Sequence, residues 1–189
     1  VVNGESFDVT GEPIIVGSPA GKTPEAYGPL VQVFYRPFCV VYGEDNSAWQ
    51  SYASYLVSTW NLIGNGSACA LPISAVTDEL RAERNMVYVG VDSDQVPYPN
   101  DMPVDWSDES VTIANTTKSD AMLGFVFPTE GRLGAVLTTT SGSEHMLFMI
   151  QPFNSRFWVP DYLILEAGGA ATAGFFNSDW QHTPTLAVP

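Results

Sequence analysis

The apolar residues of this chain fall into short continuous runs set apart by Gly, Pro and acidic residues, with one longer stretch at helical spacing. Phe38-Cys39-Val40-Val41-Tyr42 is apolar on both faces, with Pro37 before it and Gly43 after, which predicts a central parallel strand covered by helices. Residues 45–64 then predict a helix. Trp49, Ala53, Leu56, Val57, Trp60 and Ile63 form one apolar face, Asp45 or Asn46 caps the start, and Gly64 and Gly66 end it. A strand, a tight loop and an amphipathic helix open a βαβ unit.

Further along, Ala68-Cys69-Ala70-Leu71 predicts a second strand, Thr77 with Leu80 a short capped helical turn, and Met86-Val87-Tyr88-Val89-Gly90 a buried strand. Residues 92–109 read as an acidic, Pro-containing loop. Residues 123–127 and 133–139 predict two strands around a Glu130-Gly131 turn, and residues 143–150 a helix carrying Met146, Leu147 and Ile150. Tyr162-Leu163-Ile164-Leu165 predicts a strand whose hairpin partner is 171–176, turned at Gly168-Gly169. The alternation gives an α/β domain with a mixed sheet, parallel in its first half and antiparallel at its C-terminal strands. Residues 1–30, with Phe7-Asp8-Val9 and Ile14-Ile15-Val16 around a Thr10-Gly11-Glu12-Pro13 turn, read as an N-terminal arm or edge hairpin. Residues 31–180 make the single domain, and 181–189 a flexible tail.

Charge narrows the function more than the pattern does. Lys and Arg total 7 against 21 Asp and Glu, a net charge of −14. That field repels phosphate backbones and anionic lipid, so nucleic-acid and membrane-surface roles are disfavoured, while cationic partners including Ca²⁺ are favoured. No apolar stretch reaches the roughly 20 residues needed to span a bilayer. The start at Val1 reads as a processed or trimmed product. Two cysteines, Cys39 and Cys69, and the glycosylation-type triplets Asn65-Gly66-Ser67 and Asn115-Thr116-Thr117 are compatible with an oxidising, extracellular or periplasmic setting.

Several phrases in fixed order carry a resemblance: Gly28-Pro29-Leu30, Arg36-Pro37-Phe38, Val40-Val41-Tyr42-Gly43, Glu83-Arg84-Asn85-Met86-Val87-Tyr88-Val89-Gly90, Pro160-Asp161-Tyr162-Leu163-Ile164-Leu165, and Ala173-Gly174-Phe175-Phe176 with Asp179-Trp180. Over residues 28–180 they resemble a Rossmann-like accessory domain that accompanies prolyl-oligopeptidase-type α/β-hydrolase domains in large secreted or periplasmic bacterial proteins. The resemblance implies a Rossmann-like, flavodoxin-like three-layer fold and a secreted context. It brings no active site, because the serine nucleophile of such proteins belongs to the hydrolase domain. The chain departs from the pattern after Phe127, where it reads Pro128-Thr129-Glu130-Gly131-Arg132 in place of an Asn-rich Pro turn.

No complete catalytic motif is present. The G-x-S-x-G elbow is missing, and a triad needs residues converging from different elements. Ser143, Glu144 and His145 are the only catalytic candidates. Their crowding at a helix start suits capping, with Ser141 or Ser143 accepting from backbone N–H groups. The first βα loop, Gly43-Glu44-Asp45-Asn46-Ser47, lacks a dinucleotide or P-loop pattern, and its carboxylates occupy the helix end where a phosphate would sit. No cofactor is therefore expected, apart from Ca²⁺ on the Asp-x-Asp pair Asp92 and Asp94. Cys39 and Cys69 are either a disulfide or two buried thiols. Trp106 and Trp158 are the candidate surface aromatics for binding a partner or polymer. These observations favour a non-catalytic accessory or interaction domain that binds a hydrolase domain or an extracellular polymer. The alternatives are a stand-alone hydrolase and a calcium-stabilised structural protein.

Overall fold

A computed structural model describes residues 21–64, 66–129, 131–153 and 159–188. The two strands expected in the N-terminal arm, and Trp158, lie outside the described residues. After a 3-10 helix, Leu30–Tyr35, strand β1 (Phe38–Tyr42) leads into helix α1 (Ser47–Ile63). β2 (Cys69–Pro72), α2 (Asp78–Glu83) and β3 (Asn85–Val89) follow. A small antiparallel sheet comes next: β4 (Val104–Trp106), β5 (Val111–Ile113) and β6 (Thr116–Lys118). The chain then returns as β7 (Ala121–Thr129), β8 (Arg132–Thr139), β9 (Tyr162–Glu166), β10 (Ala171–Phe176) and β11 (His182–Val188).

Among the described residues the main sheet has eight strands, in the order β11-β10-β9-β7-β8-β3-β1-β2. β2, β1, β3 and β8 run parallel. β7, β9, β10 and β11 extend the sheet by antiparallel pairing. The sheet is therefore mixed, parallel on one side and antiparallel on the other. Strands dominate it more than the sequence pattern suggested. Residues 182–188 are a paired strand and not the frayed tail expected. The 143–150 segment is helical as expected, over Glu144–Met149, with 3-10 geometry.

Both faces of the sheet are covered, which is why β1 and β3 carry no polar alternation. Register aligns Val41, Tyr88, Val136 and Phe125 on one face. There Tyr88 stacks with Phe127, and Trp106 of the small sheet packs 5.5 Å from Phe125. Phe38 points the other way, into the rings of Phe34 at 5.0 Å and of Trp60 on α1 at 5.3 Å. The β1→β2 connection runs one way along the sheet and the β2→β3 connection runs back past β1 the other way, so crossovers of the usual right hand place α1 and α2 on opposite faces. The contacts agree: Arg81 and Ala82 of α2 flank Met86 and Tyr88, on the face away from α1.

The flanks of the sheet are tied differently. Cys39 and Cys69 are register partners on β1 and β2 and form a disulfide. At the antiparallel flank the fully buried Asp161 accepts from Lys22 and, at 2.9 Å, from the Phe176 N–H through the same carboxylate oxygen, Oδ2. The Lys22 ammonium also sits 4.9 Å above the Trp180 ring. Gly28, at φ +72°, lies so close to Asp161 that a β-carbon would overlap the carboxylate. Burial pushes the Asp161 carboxyl above its ordinary range, and Lys22 and the Phe176 N–H act against that.

Candidate functional site

The C-terminal ends of β1, β3 and β8 converge on one rim, and the chain order makes that rim a switch point. β1 lies between β2 and β3, so the chain leaves the end of β1 toward one side of the sheet and the end of β3 toward the other. Open α/β sheets bind ligands in the crevice such a point creates. Here the crevice has a volume of about 400 Å³. Asp45, Asn46 and Trp49 line it from the start of α1, Thr139 from the end of β8, Glu144 from the 3-10 helix, and Asp108 from the loop after β4.

Local chemistry sets each wall. Asn46 is the N-cap of α1, its Oδ1 accepting from the Ala48 N–H at 2.9 Å. Its Nδ2 donates to Glu144 Oε1 at 3.3 Å and so joins the helix start to the opposite wall. The Ser141 N–H donates to the Asp108 carbonyl at 2.8 Å, which brings that loop against the end of β8. Gly90, at φ +57°, closes the end of β3 against the Trp49 ring, where any side chain would overlap the indole.

The crevice is negative and uncompensated. No ion pair among the described residues involves Asp45, Asp92, Asp108 or Glu144. On its rim, desolvation together with the charges of Asp45, Asp94 and Asp108 holds the Asp92 carboxyl above the usual range. Thr139 is 3% exposed, and its Oγ1 is buried without a hydrogen-bond partner. Chemically, the arrangement offers several carboxylates to a cation or a hydrogen-bond donor. It offers no pairing for a phosphate.

The residues singled out in the sequence fare unevenly. Glu144 enters the crevice, but Ser143 is buried, its Oγ accepting from Thr140 Oγ1 at 3.4 Å, while His145 is exposed. No hydrogen bond joins Ser143 to His145, so the three do not assemble as nucleophile, base and acid. Ser143 stands at the N-cap but makes no side-chain capping bond, while Glu144 sits in the first turn as expected. Trp106 is not a surface aromatic. It is 6% exposed, and its indole N–H donates to the Val91 carbonyl at 2.9 Å, because the alternation of β4 turns it inward. Asp92 and Asp94 stand exposed around the 3-10 turn Ser93–Gln95. No group of three or more His, Cys, Asp or Glu side chains suited to a metal assembles among the described residues.

Asp108 and Thr139 were missed. Asp108 was visible only as one charge in an acidic loop. Nothing in the residues around Thr139 marks it, since a threonine near a strand end is ordinary. Together these observations define an α/β domain with a mixed sheet and an acidic switch-point crevice. A scan against protein-family models finds no match to the chain, and a search of curated proteins also finds none. Among the described residues no helix is long and apolar enough to cross a membrane.

Proposed function

We propose that this chain is a non-catalytic accessory or interaction domain of a secreted, hydrolase-type protein, Rossmann-like in fold, and that it binds a cationic group of a partner domain or extracellular polymer in the acidic crevice. The observation that carries the reading is the convergence of Asp45, Asp108 and Glu144 on one crevice, with no Lys or Arg paired to them among the described residues. The order 2-1-3 at the parallel edge supports the Rossmann-like assignment. The separation of Ser143 from His145 favours binding over bond chemistry.

Two measurements test it. Tetralysine, titrated at low salt and followed by NMR, is expected to give saturable shifts at the Asn46 side-chain amide and the Trp49 indole. The triple variant Asp45→Asn, Asp108→Asn, Glu144→Gln should weaken binding by roughly tenfold or more, as lost charge-assisted hydrogen bonds do. Shifts spread evenly over the acidic surface, or none, overturn the crevice as the site. Intact mass of the native product tests the context. A longer chain or stable complex carrying a hydrolase domain is expected, and a product of this chain alone, without partner, overturns that part.

A further inference from the structure

At the other end of the parallel strands, on the face away from α1, a larger groove of about 850 Å³ runs between α2 and the loop after β3. Its floor is apolar, with Met86 and Tyr88 of β3 and Leu133 at the start of β8 buried. Tyr98, between Pro97 and Pro99, forms one wall, and its ring is held at 5.2 Å from Trp106 and 6.1 Å from Phe125. The opposite wall carries Arg81 and Arg84, two of only seven basic residues in the chain.

Arg81 is incompletely matched. Its Nη1 donates to Asp78 Oδ1 at 3.3 Å in a surface pair whose side chains are 37% and 100% exposed. It also lies close enough to the Tyr88 hydroxyl to work against the pKa rise that burial causes there. Its Nε is buried with no hydrogen-bond partner. A guanidinium has donors in a planar fork that fits two carboxylate oxygens, and Asp78 uses one of them from the outside. Exposed pairs of this kind contribute little stability, so Asp78 is easily displaced. Arg84 has no ion pair among the described residues.

We propose that this groove binds a small ligand made of a carboxylate on an apolar ring body. The carboxylate displaces Asp78 and takes the Arg81 fork, and the ring lies on the Met86–Tyr88–Leu133 floor beside Tyr98. Charge selects a monoanion over a phosphate. Every added negative charge is repelled by Asp78 and by the net charge of −14, while a single carboxylate matches what Asp78 already supplies. The dimensions suit a one- or two-ring molecule. The site shares no residue with the acidic crevice and stands independently of the function proposed there.

The test uses 3-phenylpropionate, its neutral counterpart 3-phenylpropanol, and a digalacturonate, each titrated into the protein and followed by the Met86 methyl and Tyr98 ring resonances. Saturable shifts are expected with the phenylpropionate, and much weaker binding with the alcohol. Arg81→Gln should weaken the acid by roughly tenfold, the scale of a lost bidentate pair. Asp78→Ala should strengthen it severalfold by removing the internal competitor, an effect that non-specific apolar binding does not produce. Both positions lie on an exposed helix, and unchanged thermal unfolding of the variants verifies that they fold. Equal binding of acid and alcohol, no effect of either substitution, or binding of the digalacturonate alone overturns the proposal.

Discussion

On one flank of the sheet, the short edge strand β2 is tied to β1 by the Cys39–Cys69 bridge. On the other, β9 and β10 meet over Asp161, which Lys22 reaches from ahead of the first 3-10 helix. β2 buries little, all four of its residues being partly or wholly exposed, so packing alone gives it a weak hold. Its covalent tie acts mainly by restricting the unfolded chain, and pH and salt leave it untouched. The opposite flank is rich in buried rings, Tyr162, Phe176 and Trp180 among them. Its polar tie acts in the folded state and depends on Asp161 accepting from Lys22 and the Phe176 N–H in a buried setting. The same task, holding a flank of the sheet together, thus carries two different vulnerabilities.

The sharpest way to break the comparison is Asp161→Ala. It leaves Lys22 and the Phe176 N–H facing a void, and about 3–5 kcal/mol of stability should be lost in urea unfolding, as for other broken buried pairs. A loss within experimental error would mean that the rings alone hold this flank. Replacing both cysteines by serine comes next. With a sequence separation of 30 residues, the chain-entropy estimate is about 3.6 kcal/mol. That loss should be the same across the pH range in which the protein is folded.

A smaller change, Asp161→Asn, keeps an acceptor for the Phe176 N–H while removing the buried charge, so it should cost clearly less than the alanine variant. It also exposes the pH sign. Burial raises the Asp161 carboxyl in the folded protein, so the native state binds a proton more readily than the unfolded one. Between the ordinary carboxylate value and the raised one, stability from this group therefore falls as pH rises and is recovered on acidification. Wild-type stability relative to Asp161→Asn should increase as the pH is lowered through that window. A gap that shrinks there would reverse the assigned sign. The smallest effect belongs between the flanks, in the acidic crevice. Asp108→Asn should raise the melting temperature slightly at low salt, and the gain should vanish at high salt as the repulsion is screened. A gain that survives high salt would point to packing.

Legibility from the sequence followed burial. β1, β3 and α1 were readable because an unbroken apolar run and a stripe at helical spacing are local signals. Strand β11 was not, since His182, Thr183 and Pro184 read as a tail and become a strand only through pairing with β10. β5 and β6 were hidden because three-residue strands carry too little pattern. Ser143, Glu144 and His145 looked like a cluster only because they adjoin in the chain. In the fold their side chains diverge, one into the core, one into the crevice and one to solvent.

By itself the sequence determined an α/β domain with a mixed sheet, a strongly negative field, and the absence of nucleotide-binding and nucleophile-elbow motifs. All of these depend on residue type and on spacing within one element. Only the tertiary structure decided that Cys39 faces Cys69, that Lys22 reaches Asp161 across a separation of 139 residues, and that Asp45, Asp108, Thr139 and Glu144 share one crevice. The physical reason is common to all three. Strand register and crossover direction place distant residues side by side, and no local pattern encodes that placement.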